Sequence, residues 1–272
     1  VGGDGAARAQ EVVVGSWAEL QDQLFEGSWQ QSIGRYRSSY AFRGMADASW
    51  TLDTSLQRMG GDFARLERHL IRNFRKYAYM EGVGQTSLWN LLAQAQHHGL
   101  PTRLLDWTYS PYVALHFVTD DVAREHVDGT IWCVDYTKTN RMLPESLLGA
   151  LRHEEADLLS TEMLEGVAGT LTQFDALSPD PFLVFFEPPS LGSRIINQFA
   201  LFSVLSSAGV ALGTWLDDRP AVHRKIIVPR ALKWEIRDKL DQANVNERVL
   251  FPGLDGLCRW LGRQYAPRPG KS

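Results

Sequence analysis

Between Ser87 and Val118 the chain dictates a helix, an abrupt stop, a short connection and a second helix. Ser87 offers a capping hydroxyl, and Leu88, Leu91, Leu92 and Ala95 then recur at helical spacing. Gly99 and Pro101 end that helix, as a C′ glycine followed by a proline does. Ser110-Pro111 opens the next one, with serine as N-cap and proline at the first helical position. Val113, Ala114, Phe117 and Val118 form its expected buried face. The connection holds His97, His98, Arg103, Asp106, Trp107 and Tyr109. A purely structural junction seldom gathers so many polar and aromatic groups, so the stretch marks a site.

The rest of the chain supplies the scaffold. Val12–Val14 reads as a short strand, and Ser16 caps a helix carrying Trp17, Leu20, Leu24 and Phe25. Residues 40–44 read as a strand ending at glycine. Phe63, Leu66, Leu70, Phe74 and Tyr77 define one apolar helical stripe. Its opposite face holds Arg65, Arg68, Arg72, Arg75 and Lys76, either a solvated surface or a polyanion contact. Thr130–Tyr136, Pro181–Glu187, Phe199–Val204 and Val222–Val228 have the composition and length of strands. Leu143–Glu165 reads as helical, as do the segments after Pro229 and Pro252. These patterns imply an α+β fold with a helical N-terminal half packed on a mainly antiparallel sheet. Residues 1–10 are expected to be a disordered tail, residues 11–265 one domain and residues 266–272 a flexible tail.

The 272 residues suffice for a sizeable core, with 44% apolar and 22% charged residues and a net charge of −4. That balance argues against a general nucleic-acid binder. Without an apolar run long enough to span a bilayer or a signal-peptide pattern, the expected location is cytoplasmic, with no membrane partner. Cys133 and Cys258 have no CxxC spacing and read as two reduced, buried thiols, and no metal is expected.

Histidine titrates near neutral pH, which makes His97-His98 a candidate acid, base or helix-end cap. Successive helical residues point about 100° apart, so the two seldom serve one site. A nucleophile elbow is absent, because Ser193 lacks the second glycine, and neither a P-loop nor a dinucleotide fingerprint occurs. Arg43 at a strand end has the fork to hold a phosphate, and Gly44 would let a ligand approach the main chain. Arg103 and Asp106 are read as loop residues that either bridge each other or serve the site.

These elements resemble a known family. Phe42-Arg43-Gly44, Trp50-Thr-Leu with Ser55-Leu56, the block Ala95–Thr108, Ser110–Phe117 and the late Leu250-Phe-Pro-Gly-Leu-Asp-Gly-Leu are similar to the FRG domain, over roughly residues 35–262. More distantly, the chain resembles arginine-type mono-ADP-ribosyltransferases. Those enzymes place an aromatic-Arg-Gly at an early strand end, then Ser-x-Ser, five residues and Ala-x-x-Phe. Asp106-Trp-Thr108 followed by Ala114-Leu-His-Phe117 has that spacing, with Asp106 and Thr108 in place of the serines. The resemblance implies an ADP-ribosyltransferase-like split sheet and NAD as substrate. Its third element, a strand glutamate, would fall on Arg194–Phe202, which offers Gln198; Glu187 ends the preceding strand.

On this resemblance Arg43 takes the diphosphate, and Gln198 or Glu187 accepts from the ribose. Asp106 or Glu187 supplies charge to the ribosyl cation, and His98 acts as a base on the acceptor or contacts a phosphate. Phe42, Gly44, Arg103, Trp107, Thr108 and Tyr109 are the implied nucleotide contacts. The acceptor is an unspecified protein, nucleic acid or water, and a toxin or defence role is compatible. The alternatives are a non-catalytic nucleotide or ADP-ribose binding module, and a nuclease or other polyanion-acting enzyme built on His97-His98 and the basic stripe.

Overall fold

In the computed structural model, residues 10–81, 86–190 and 192–266 are described. One eight-stranded sheet organises them, in the order β1-β10-β6-β4-β5-β9-β8-β7. Its strands are β1 (Gln10–Val13), β4 (Tyr40–Met45), β5 (Leu104–Thr108), β6 (Gly129–Asp135), β7 (Leu159–Ser160), β8 (Leu183–Glu187), β9 (Ala200–Leu205) and β10 (His223–Val228). A two-stranded ribbon, β2 (Trp29–Gln30) with β3 (Arg35–Tyr36), stands apart. Pairing is antiparallel through the middle and parallel only at the two ends, β1 with β10 and β7 with β8.

The fold is α+β with a large, mostly antiparallel sheet, but helices do not segregate to the N-terminal half. β4, β5 and β6 come from that half and form the sheet's centre. Leu104-Leu105 and the all-buried β6 lie in the middle of the sheet, covered on both faces. Their short apolar runs do not alternate, which is why periodicity understates them. Of the expected disordered tail, Gln10 is instead paired into β1, against Arg224. The remainder, 1–9, and 267–272 of the other tail, lie outside the described residues.

The helices start where the caps predict. Ser16, Ser87 and Ser110 each accept a backbone N–H from three residues on, at 3.2 to 3.3 Å. They begin α1 (Trp17–Phe25), α4 (Leu88–His97) and α5 (Pro111–Thr119); between the first two lie α2 (Ser55–Met59) and α3 (Phe63–Tyr77). Gly99 holds φ +82°, the left-handed turn that ends α4. Leu143–Glu165 resolves into α7 (Glu145–His153) and α8 (Thr161–Val167) around β7, after α6 (Tyr136–Asn140). Then come α9 (Leu171–Asp175), α10 (Ser193–Asn197), α11 (Leu212–Asp217), α12 (Arg230–Gln242), α13 (Glu247–Leu250) and α14 (Leu254–Tyr265). No helix among the described residues is long and apolar enough to cross a membrane.

Three apolar clusters hold the layers. One joins Phe42 of β4 to Ala114, Leu115 and Val118 of α5 and to Ile236 and Leu240 of α12. A second gathers Trp107, Trp132, Phe185 and Trp215, and a third packs Trp89 of α4 on Phe174 and Phe186. Cys133 is buried, and burial pushes its thiol up to about 12. Cys258 is exposed rather than buried, because it lies on the solvent side of α14.

Candidate functional site

The sheet opens at one place. β4 pairs with β6 along its length, from Tyr40–Asp135 to Met45–Thr130, and β5 pairs with β9 from Leu104–Val204 to Thr108–Ala200. β4 and β5 meet at a single register, Phe42–Thr108. Beyond it the strands part, and Arg43 fills the opening. Its Nη1 donates to the Asp106 carbonyl oxygen at 2.6 Å. Its Nε is shut off from solvent with no hydrogen-bond partner among the described residues. Burial lowers the Arg43 pKa; nearby Asp106 opposes this and Arg58 adds to it.

A cleft with two lobes runs past this arginine. The larger lobe, about 660 Å³, is lined by Met45, Ala46, Ser49, Trp50, Thr51, Asp53, Arg58, Asp120 and Asp121. The smaller, about 230 Å³, is lined by Phe42, Asp106, Trp107, Thr108, Arg194, Gln198 and Ala200. Arg43, Gly44 and Phe117 line both, so the lobes meet there. Volumes of roughly 300–1,000 Å³ are typical of small-molecule and cofactor sites. The walls mix three arginines with four aspartates, a lining suited to a ligand that carries both phosphate and cationic parts.

The block around Gln96 braces this lining. Gln96 Nε2 donates to Asp106 Oδ2 at 2.7 Å, and its Oε1 accepts from the Thr102 hydroxyl at 2.6 Å. The Thr108 hydroxyl donates to the Gln198 carbonyl at 2.7 Å and accepts from Ser110 N–H at 3.0 Å. β5 is thus tied to the start of α5 and to the corner before β9. The late Leu250 block closes the same corner. Asn197 Nδ2 donates to the Val249 carbonyl at 2.7 Å and Gln198 Nε2 to that of Leu250 at 3.0 Å. Phe251 packs between the Arg194 and Arg259 guanidinium groups, 5.0 and 4.2 Å from its ring centre.

Of the residues expected to act together, Arg43, Asp106 and Gln198 do line one cleft. The others are placed differently. Glu187 is exposed at the end of β8 and accepts the Tyr109 hydroxyl at 2.6 Å, so that pair lies outside the lining. Burial, and then this bond to Glu187, push the Tyr109 hydroxyl pKa upward. Gln198 is not on a strand, since Arg194–Phe202 divides into α10 and β9 with Gln198 as the helix cap. Asp106 lies on β5 rather than in a loop. Arg103 does not pair with it, because Glu67 and Asp175 hold its guanidinium, each at 2.6 Å. Burial pulls the Arg103 pKa down, but these carboxylates more than offset it and keep the group charged. Arg103 is therefore a buried anchor for α3 and not a nucleotide contact.

The aromatic contacts change too. Phe42 is fully buried against α5. Trp107 turns its indole into the core and donates to Ser203 Oγ at 2.8 Å. Phe117 lines the cleft instead of joining the buried face, and His116 is the buried member of that turn. Gly44 is needed by the helix: a Cβ there would sit 1.8 Å from the Ala114 carbonyl oxygen. His98 is exposed and caps α4 through its N–H to the Gln94 carbonyl. The half-buried His97 is within electrostatic reach of Arg194 and Asp106, which line the cleft. Burial lowers its pKa, Arg194 and His98 lower it further, and Asp106 opposes them. The basic stripe of α3 is exposed. Arg58, Asp120, Asp121 and Arg194 were given no site role by the sequence reading, and Trp50, although it opens one of the family motifs, was given none either.

An α+β domain with a cleft of small-molecule size at a sheet opening is the class these features define. Residues 38–126 match the FRG domain. The match takes in Phe42-Arg43-Gly44, β5 and α5, and stops short of the Leu250 block. No curated protein and no solved structure matches the chain. Among the described residues, no group of three or more His, Cys, Asp or Glu is arranged to hold a metal ion.

Proposed function

We infer that the cleft takes NAD and that the chain is ADP-ribosyltransferase-like, cleaving the nicotinamide–ribose bond and passing ADP-ribose to an acceptor or to water. The observation that carries this reading is Arg43, anchored on the Asp106 carbonyl at the junction of the two lobes with a buried, unpartnered Nε. A planar guanidinium in that position suits a diphosphate, and Arg58 and Arg194 extend positive charge into the two lobes. Loss of nicotinamide leaves an oxocarbenium-like ribosyl cation, a demand that glycosidases meet with carboxylates. Asp106 in the smaller lobe is the carboxylate for that charge, now that Glu187 lies elsewhere. Gln198 is a ribose contact by its place in the lining, and its amide is already committed to Leu250. The acceptor, protein or nucleic acid, is the second substrate. A cytoplasmic toxin or defence role is one setting for such chemistry.

Nicotinamide release from NAD tests this, with and without candidate protein and nucleic-acid acceptors, beside calorimetry against NAD and ADP-ribose. Arg43→Ala is expected to weaken binding at least tenfold, about 1.4 kcal/mol. Glu187→Gln, whose carboxylate faces Tyr109, is expected to leave binding and release unchanged. Binding without release, by folded protein, would move the reading to a non-catalytic ADP-ribose module. Binding that Arg43→Ala leaves intact would refute the assignment of the cleft.

A further inference from the structure

Behind Phe117, a buried histidine keeps one ring nitrogen without a hydrogen-bond partner among the described residues. His116 is fully buried in α5. Its Nδ1 lies 2.8 Å from Arg237 Nη1 of α12. Arginine carries only donors, so Nδ1 is the acceptor and the neutral ring bears its hydrogen on Nε2. Arg237 is itself fixed, by the Val245 carbonyl, the Thr119 hydroxyl at 3.3 Å and Asp241 at 3.5 Å. The His116 Nε2 hydrogen has no hydrogen-bond partner among the described residues. The nearest carboxylate oxygen recorded for it is Asp120 Oδ2, one turn on at 3.9 Å. Asp120 in turn lines the larger lobe together with Arg43, Gly44 and Phe117. A buried N–H left open one short movement from a cleft carboxylate is a feature native interiors seldom keep without use.

We propose that Asp120 is the general base of this cleft, and that His116, locked by Arg237, is its positioning residue. The assignment rests on the reading of the cleft as an NAD site. The lobes meet at Arg43, Gly44 and Phe117, with Asp106 lining one lobe and Asp120 the other. Asp106 and Asp120 thus serve different lobes, each with one task, and Asp53 and Asp121 also line the larger one. Asp106 faces the developing ribosyl cation. Asp120 takes the proton from the acceptor hydroxyl, or from water, as that oxygen bonds to the ribose anomeric carbon. Nicotinamide leaves with the pair of electrons from the broken C–N bond and is thereby neutral. The products are O-linked ADP-ribose, nicotinamide and one proton, carried by Asp120 and later released to solvent.

The surroundings of Asp120 suit this task. Burial first, then Glu247 of α13 and the adjacent Asp121, raise its pKa to about 6 against the opposing Arg237 of α12 and Arg259 of α14. His116 stays neutral, its pKa lowered to about 3 by burial, with Arg237, Arg263 and Arg259 adding to this and Glu247 opposing. A base with a midpoint near the working pH combines availability with proton affinity.

The test follows nicotinamide release against pH in the full chain, beside ADP-ribose affinity. In wild type the rate is expected to rise with pH through a midpoint near 6. Asp120→Asn is expected to cut release about 100-fold or more while affinity stays within about threefold. His116→Gln keeps a carbonyl that can accept from Arg237 and an amide N–H on the side of Asp120, so it should retain part of the rate with a displaced midpoint. Nitrogen-15 NMR of the labelled wild-type chain should show the Nε2–H form of His116. Equal release by wild type and Asp120→Asn, or an Nδ1–H ring, would overturn this assignment alone. A folded wild-type chain that releases no nicotinamide would overturn the reading of the reaction, and this assignment with it.

Discussion

Replacing Gly44 with alanine asks whether this glycine serves the helix or the ligand. A Cβ there would stand 1.8 Å from the Ala114 carbonyl oxygen and 2.7 Å from the carbonyl carbon. Both atoms belong to the backbone of α5, so no side-chain rotation relieves the clash. Reaching a contact distance of about 3.5 Å forces β4 and α5 apart by well over 1 Å. That separation falls on the cluster where Phe42 meets Ala114, Leu115 and Val118, all nearly or wholly buried. Overpacking of this kind costs about 1–3 kcal/mol, and the rigidity of both partners puts Gly44→Ala at about 3 kcal/mol. Urea unfolding of the two proteins measures it. Gly213→Ala is the control: its Cβ meets nothing within 4 Å, and in α11 it should be neutral or stabilise by about 0.5–1 kcal/mol. A Gly44→Ala loss below about 1 kcal/mol would refute the seating of α5 on β4. A stable variant that no longer binds nucleotide would return the glycine to the ligand.

Two other perturbations have defined outcomes. Glu67→Gln leaves the buried Arg103 charge half-compensated and is expected to cost about 3 kcal/mol, whereas Asp175→Asn, at a 37% exposed side chain, should cost under about 1 kcal/mol. Equal costs in denaturant melts would contradict that ranking. The pH dependence of stability gives a second check. His116 is held at about 3 against an ordinary 6.5, so the unfolded chain protonates first and its contribution is lost as pH falls through that window. Asp120 is raised from 3.8 to about 6, so its contribution is present at low pH and lost as pH rises through 6. Between about pH 4 and 6 the two slopes oppose each other. Asp120→Asn removes one, so its stability relative to wild type should fall by about 1.4 kcal/mol for each pH unit lowered. A pH-independent difference in urea titrations would refute the pairing.

Much of this fold was legible because local chemistry set it. The capping serines, Gly99, Pro101 and Pro111 start and stop helices through hydrogen bonds that neighbouring residues supply. Most strands followed from their β-branched and aromatic runs, but β5 reads as a loop and β7 as part of a helix. Sheet order did not follow, because pairing β4 between β5 and β6 depends on contacts between distant segments. The site was half legible. Arg43, Asp106 and Gln198 were found through their motifs. Arg103 misled, because its partners Glu67 and Asp175 are 36 and 72 residues away and no spacing connects them. Phe117 and His116 exchanged roles because α5 is apolar nearly all round, and its tertiary setting alone decides which face meets the cleft.

The single register between β4 and β5 makes the cleft depend on strands outside the matched segment. Residues 38–126 hold both strands and Arg43, yet neither of the strands that complete them. Cut from its context, that segment would leave β4 without residues 129–135 and β5 without residues 200–205, two bare edges joined at one rung. The matched segment is therefore not a unit of folding in this chain. β6 and β9 complete it, and β9 with the corner before it also supplies Gln198 and Ala200 to the cleft wall.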